Sequence, residues 1–377
     1  MMKVKDIQFG SHGYPFHHGV RCADEIVEQL ATLGADRYVI VVDEVVARLH
    51  LGPVAEGLAR HAPVTTIPLP AGEPGKVLAT VGAVVETALA AGMTRRSCVV
   101  AMGGGVIGNI AGLAAALAFR GVRLVHLPTT LIAALDSVLS LKQAVNAPLG
   151  KNLIGTFYAP TAVLLDYEWL DTLPERERRS GLCEMVKNAL AIAPERRAEL
   201  AKVLRHDCRL GPRELAWLVD FGIDAKQKVM RYDERECGTG LVLEYGHTIG
   251  HALELAAPGA LSHGEAVGVG MLCAAEIANR SFDLSDTDLE AHRELLARIG
   301  VGNAGAREIP TREVLRLVRF DNKRGYSPSR PDELPMILLD GLGRPRGPGQ
   351  RPLVPVAFED VERVVGGLAR APLAAVG

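Results

Sequence analysis

Aromatic residues are scarce in this chain, with Phe, Trp and Tyr together making up 5% of 377 residues. The apolar fraction is nevertheless 48%, so a sizeable core must be built mainly from Ala, Val and Leu. Charge of either sign is not in excess. The net charge of −2 argues against binding to nucleic acid or a membrane surface by general electrostatic attraction. It leaves small anionic substrates open, since those need only a local cluster of cations. Cysteine is sparse too: Cys22, Cys98, Cys183, Cys208, Cys237 and Cys273 form no CxxC pair, which points to reduced thiols in a cytoplasmic protein and away from a disulfide framework. No apolar run is long enough to cross a bilayer, the longest lying around IAGLAAALAF. The N-terminal MMKVKDIQFGSHGYPF has no apolar h-region, so no signal peptide is expected.

The first part of the chain alternates two periodicities. RYVIVVDE (37–44), VTTIPLP (64–70), SCVVAMGGG (97–105) and VRLVHLP (122–128) read as strands. EIVEQLATLG (25–34), KVLATVGAVVETALAAG (76–92) and NIAGLAAALAFRG read as helices. Strands alternating with helices imply a parallel sheet covered on both faces. From about residue 176 helical segments dominate, and GLGRPRGPGQRP (341–352) reads as a loop. The expectation is an α/β domain over residues 1–175 followed by a mainly helical domain over 176–377, consistent with about 150 residues per domain.

Five stretches offer chemistry. MGGGVIGN (102–109) leaves a strand and opens a helix, so its backbone N–H groups and helix end suit a pyrophosphate; a tight strand-to-helix turn gives the same string. Strand-end Asp43 can bond a ribose hydroxyl or cap the next helix. SLKQAVNAPLGKN (140–152) gathers two lysines and two asparagines with no opposing acid, in what reads as a loop; it suits a phosphate or a polyol, and a solvated surface loop gives the same string. EYGHTIGH (244–251) sets His247 and His251 four apart on one helical face. GLCEMVKN adds Glu184 and Lys187, an i,i+3 pair of a kind usually exposed, and SHGEA adds His263 at a helix start. Spacing alone does not choose three metal ligands among Glu184, Glu244, His247, His251 and His263.

The ordered series GEPGK, GGGVIGNIAG, FRG, LPTTLIAALDS, LKQAVNAPLGKN, CEMVKN, YDERE, EYGHTIGHALE and SHGEAVGVGM resembles the dehydroquinate synthase-like sugar phosphate cyclases over roughly residues 35–330. The resemblance implies an NAD-binding α/β domain and a helical domain that holds metal and substrate. It implies one divalent ion, zinc or cobalt, on Glu184, His247 and His263, with His251 turned to the substrate. NAD would be held by Asp43, by Glu73 and Lys76 of the GEPGK turn, and by Gly104, Gly105, Val106 and Asn109 of the glycine loop. Thr129, Thr130, Asp136 and Ser137 of LPTTLIAALDS, with Lys151 and Thr172, would complete that site. Lys142 and Glu244 are the implied catalytic groups. Lys142, Lys151, Asn152, Lys187, Lys226, His251 and Lys323 are the implied substrate contacts. Arg120 would reach the phosphate of a neighbouring subunit, which implies a homodimer.

Several positions depart from the dehydroquinate-forming members. They carry an arginine for a substrate carboxylate where this chain has Gly240, an asparagine where it has Glu244, an aspartate where it has Asn109, and SVGGKTAVN where it has SVLSLKQAVN. The departures imply a sugar phosphate without a carboxylate, D-glucose 6-phosphate, cyclised with NAD reduced and reoxidised in each turnover.

Overall fold

The valine-rich runs form the strands their composition predicts. The first part contains β1 (Lys3–Phe9), β2 (His12–Gly19), α1 (Ala23–Ala31), β3 (Tyr38–Asp43), α2 (Glu44–Ala59), β4 (Val64–Leu69), α3 (Leu78–Ala90), β5 (Cys98–Gly103) and α4 (Gly105–Leu117). It continues with β6 (Arg123–Pro128), β7 (Lys142–Ala147), β8 (Gly150–Phe157), β9 (Ala162–Asp166) and α5 (Glu168–Asp171). These assignments come from a computed structural model that describes residues 1–148, 150–302, 306–321, 323, 325–326, 330–347 and 351–368. By internal contacts the chain divides into two units. The first is Met1–Leu173 with Gly211–Ile223, and the second is Pro174–Leu210 with Asp224–Gly377. A single cut at residue 175 misses the return of Gly211–Ile223 to the first unit.

In the first unit seven strands pair in the order β1-β2-β9-β6-β5-β3-β4. All the pairings are parallel except the edge hairpin β1–β2, which the alternation of strand and helix did not announce. The sheet interior is buried on both faces, which is why β3 and β5 read as unbroken apolar runs. Val39, Val41, Val99 and Ala101 meet one apolar layer with Val81 and Val84 of α3 and Ile110 and Leu113 of α4. Ile40, Val42, Val100 and Met102 meet the other, with Ile26 and Leu30 of α1 and Val54 and Leu58 of α2. The stretch around Lys142, expected as a loop, is instead the antiparallel hairpin β7–β8. Its period-2 burial, with Gln143 and Val145 inward, is muted in the sequence by the alanines between them.

The remaining elements are α6 (Glu175–Ala191), α7 (Arg197–Val203), α8 (Pro212–Met230), α9 (His247–Ala256), α10 (His263–Ser281), α11 (Asp286–Arg298), α12 (Thr311–Leu317), the short strands β10 (Glu333–Met336), β11 (Leu339–Gly341), β12 (Arg344–Pro345) and β13 (Val354–Ala357), and α13 (Phe358–Leu368). The Gly/Pro-rich segment opens as the β11–β12 ribbon; its residues 348–350 lie outside the described residues. In the second unit two glycines set how closely the helices approach. A Cβ on Gly264, in the first turn of α10, would collide with the Ser180 backbone of α6. One on Gly270 would collide with the carbonyl of Gly246, which leads into α9. These contacts press the start of α10 against α6 and the start of α9 against the middle of α10.

Ile40 is fully buried in β3, whereas Leu49 of α2 is 54% exposed. Ile40→Ala is expected to destabilise the protein by about 2–5 kcal/mol, and Leu49→Ala by no more than about 0.5 kcal/mol. Urea unfolding compares the two, and similar midpoints for both variants would contradict the buried placement of β3.

Candidate active site

Three helices of the second unit bring one carboxylate and two imidazoles together. Glu184 is on α6, His247 opens α9 and His263 opens α10, and one ligand atom from each lies within 4.8 Å of the others. His247 Nε2 is 3.9 Å and His263 Nε2 3.8 Å from Glu184 Oε1. The outer nitrogen of each ring is already engaged. His247 Nδ1 lies 3.1 Å from the Tyr245 carbonyl, and His263 Nδ1 lies 3.2 Å from Glu254 Oε2. With Nδ1–H donated outward, each Nε2 lone pair faces the carboxylate, the orientation in which metal-binding histidines are usually held.

Glu184 is fully buried, and neither of its carboxylate oxygens has a hydrogen-bond partner. The Lys187 ammonium touches Oε2, but off the direction of a hydrogen bond. That pair is buried, not the exposed i,i+3 bridge its spacing suggests, with Lys187 2% exposed. A buried anion with unsatisfied oxygens facing two imidazole nitrogens fits a divalent cation. Burial first, then the Lys187 charge, holds the His247 imidazole well below its usual pKa, so it offers a lone pair at neutral pH.

His251 shares this neighbourhood, its ring centroid 5.2 Å from that of His247 and 5.8 Å from that of His263. It lies outside the converging triad. Burial pushes it down to about 4, and the charges of Glu244, Lys323 and Asp321 act on it as well. Glu244 Oε2 lies 3.7 Å from Lys323 Nζ, which also contacts Asp321 Oδ1 at 2.9 Å. Lys226 is buried in the same unit. The sequence reading missed Glu254, although His247, His251 and Glu254 at i, i+4 and i+7 mark a single face of α9. It also missed Asn188, fully buried one turn beyond Glu184, with neither side-chain amide atom hydrogen-bonded.

In the first unit the glycine loop joins β5 to α4 at Gly104, and Gly105 and Val106 form the first turn. A Cβ on Gly104 would meet Thr130 Cγ2 at 3.1 Å, and one on Gly105 would meet Ser137 Oγ at 3.0 Å, so the loop lies close against the LPTTLIAALDS segment. Asn109 ties the loop to the hairpin: its Nδ2 donates to the Gly105 carbonyl and its Oδ1 accepts from Ala144 N–H, both at 2.8 Å. Thr130 Oγ1 accepts from Ala133 N–H. Thr129 Oγ1 and Asp136 Oδ1 are buried without a hydrogen bond. A small cavity beneath the loop is lined by Gly103, Gly105, Asn109, His126, Ser137 and Gln143. Asp43 does cap a helix, with Oδ1 accepting from Val45 and Val46 N–H. Thr172 donates to the Trp169 carbonyl and meets His50 Nε2 at 3.0 Å.

Lys151 of the β7–β8 hairpin does meet an acid, supplied by the GEPGK turn. Glu73 Oε1 accepts from Asn146 Nδ2 at 2.8 Å and lies 3.5 Å from Lys151 Nζ. Lys76 Nζ donates to Asn152 Oδ1 at 2.6 Å, and Asn152 N–H donates to Asn146 Oδ1 at 2.9 Å. Lys142 begins β7. Arg120 is exposed, on left-handed backbone with φ 66°.

Residues 66–180 match the family model described as 3-dehydroquinate synthase N-terminal, and residues 181–324 match 3-dehydroquinate synthase C-terminal. The chain is 50% identical to the 2-deoxy-scyllo-inosose synthase of Streptoalloteichus tenebrarius, over 98% of this chain and 96% of that protein. It is similar to the crystal structure of a 2-deoxy-scyllo-inosose synthase complexed with carbaglucose-6-phosphate, NAD+ and Co2+, at TM-score 0.88 and 38% identity, covering 96% of this chain and 99% of the other. A 2-epi-5-epi-valiolone synthase from Streptomyces hygroscopicus, with NAD+ and Zn2+ bound, has TM-score 0.81 and 26% identity over 95% and 97% of the two chains.

The triad geometry predicts that Glu184→Ala, His247→Ala and His263→Ala each lower the bound divalent metal, measured by mass spectrometry of the purified protein, whereas His251→Ala retains it. Loss of metal in His251→Ala with retention in His263→Ala would place the ion on the i,i+4 pair.

Proposed function

The chain belongs to the 3-dehydroquinate synthase family, and on that premise we propose that it converts D-glucose 6-phosphate to 2-deoxy-scyllo-inosose and inorganic phosphate. It is an enzyme, a phosphate-eliminating carbon–oxygen lyase, and the reaction serves aminoglycoside (2-deoxystreptamine) biosynthesis. The observation that carries the reading is Glu244, a carboxylate set beside His251 and Lys323 next to the Glu184–His247–His263 triad. Gly240 supports it. This buried glycine has no side chain to pair with a substrate carboxylate, and a Cβ there would meet Asp233 Oδ2 at 2.9 Å.

The residues divide the work by their chemistry. Glu184, His247 and His263 hold the ion, zinc or cobalt, which when bound supplies Lewis-acid polarisation of the sugar oxygens. The glycine loop, with Glu73, Lys76, Thr129, Thr130, Asp136, Ser137, Lys151, Thr172 and Asp43, holds NAD, which when bound supplies a reversible hydride acceptor for carbon 4. Glu244 takes the proton from carbon 5, acidified by the carbon 4 ketone, as the carbon 6–oxygen bond to phosphate breaks. After ring opening, carbon 6 bonds to carbon 1 in an intramolecular aldol step, in which Lys142 anchors the polar end that reacts. His251, Lys323, Lys151 and Asn152 serve the substrate hydroxyls and phosphate, and Lys187 and Lys226 line the pocket. Exposed Arg120 reaches the phosphate of a second copy, so the working form is a homodimer, and a cytoplasmic location completes the reading.

Incubation with D-glucose 6-phosphate, Co2+ and substoichiometric NAD+ should release many equivalents of phosphate per NAD+ and form a carbocycle detectable by mass spectrometry. A heptulosonate phosphate should release little. A steady rise in NADH at 340 nm would instead favour a metal-dependent polyol dehydrogenase. Glu244→Gln keeps the size of the side chain and removes its basicity. It should cut kcat by about 10²-fold or more while metal and NAD+ binding stay near normal. If Glu244 only orients a ligand, metal affinity falls instead; near-normal turnover in a fully metallated variant would remove it from the catalytic set.

A further inference from the structure

Between the proposed base Glu244 and the ligand His247 stand Tyr245 and Gly246, and Tyr245 is anchored at three points. Its N–H donates to the Val242 carbonyl at 3.0 Å. Its own carbonyl lies 3.1 Å from His247 Nδ1. Its hydroxyl lies 2.9 Å from His292 Nε2 on α11. Both Tyr245 and His292 are fully buried. His292 Nδ1 is 2.7 Å from the Asp288 carbonyl, and a carbonyl can only accept. Nδ1 therefore carries the proton, and in the neutral ring Nε2 accepts from the tyrosine hydroxyl. Burial favours that neutral form, pushing His292 down to about 4.

The peptide that follows has little room to move. Gly246 sits at φ 80°, and a Cβ there would meet Met271 Cγ at 2.6 Å and the Val267 carbonyl at 2.8 Å on α10. Rotation of Tyr245 about its backbone would swing the carbonyl that orients His247 and shift the neighbouring Glu244 with it. The tyrosine hydroxyl is the one polar handle on that residue's side chain, and it is tied to a helix that supplies none of the triad.

We propose that the Tyr245–His292 hydrogen bond is a latch that positions His247 for the metal and holds Glu244 in register beside it. Tyr245 and His292 are positioning residues: they act through the Tyr245 carbonyl and the peptide next to it. The latch rests on the triad being a metal site, and the test separates the two ideas.

The metal-stripped full-length protein is titrated with Co2+, with the visible absorption of bound Co2+ and its dissociation constant as readouts and the melting temperature recorded alongside. Tyr245→Phe should weaken Co2+ binding about tenfold, the usual scale for groups that orient a ligand. It should also alter the Co2+ spectrum, lower kcat more than it changes KM, and leave NAD+ affinity unchanged. A lowered melting temperature with wild-type Co2+ affinity and spectrum would mean ordinary core packing and overturn the latch. Should Tyr245→Phe fail to fold, His292→Gln and His292→Leu decide. Glutamine keeps an oxygen to accept from Tyr245 and should bind Co2+ nearly as the wild type does, while leucine should be about tenfold weaker. Equal affinities in that pair would overturn the proposal. Failure of the wild-type protein to take up Co2+ would overturn the metal reading itself, and the latch with it.

Discussion

The carboxylate of Glu184 is an anion removed from water without a hydrogen bond to either oxygen. Such a group is strongly destabilising unless positive charge compensates it. Much of the second unit can be understood as meeting that demand. Lys187 supplies a cation from the next turn of the same helix. The close approach permitted at Gly264 brings the start of α10 against α6, which carries Glu184, and that at Gly270 brings the middle of α10 against the start of α9, which carries His247. Tyr245 and Glu254 hold the two imidazoles so that their free nitrogens face inward. A divalent ion held there would complete the charge balance and make the same cluster useful for chemistry.

The first unit answers a different constraint, the placement of a loop whose glycines let its backbone lie against the Thr130 and Ser137 side chains. The sheet fixes the end of β5, and the loop is then held from two sides: by close contact with the segment after β6, and by Asn109, which joins it to the β7–β8 hairpin. Both of Asn109's bonds need the amide. An aspartate at this position could still accept from Ala144 N–H, but its second oxygen would face the Gly105 carbonyl and repel it. The departure at position 109 therefore has a local structural reason, independent of any ligand. The GEPGK turn is fastened to the same hairpin through Glu73, Lys76 and Asn146, so the elements assigned to NAD behave as one polar network.

The sequence made the sheet interior and the long helices legible because fully buried strands and long amphipathic helices leave strong periodic signals. It concealed the β1–β2 edge hairpin and the β7–β8 hairpin, where small or polar residues blur the alternation. At the site, spacing placed His247 and His251 on one face but could not rank them, because the third and fourth groups arrive from α6 and α10 through tertiary packing. The motif series supplied the triad, and the structure supplied its physical basis. Glu254, Tyr245 and His292 escaped notice for a common reason: each acts through a partner distant in the chain or through a backbone carbonyl, and neither leaves a pattern in one sequence.

The central claim, that the buried Glu184 carboxylate exists to hold a cation with His247 and His263, is tested most directly by anomalous diffraction at the cobalt edge from crystals of the Co2+-loaded protein. The account predicts one peak bonded to Glu184, His247 Nε2 and His263 Nε2 at roughly 2.0–2.2 Å, with His251 outside bonding distance. A peak on His247 and His251 that leaves Glu184 unligated would contradict it.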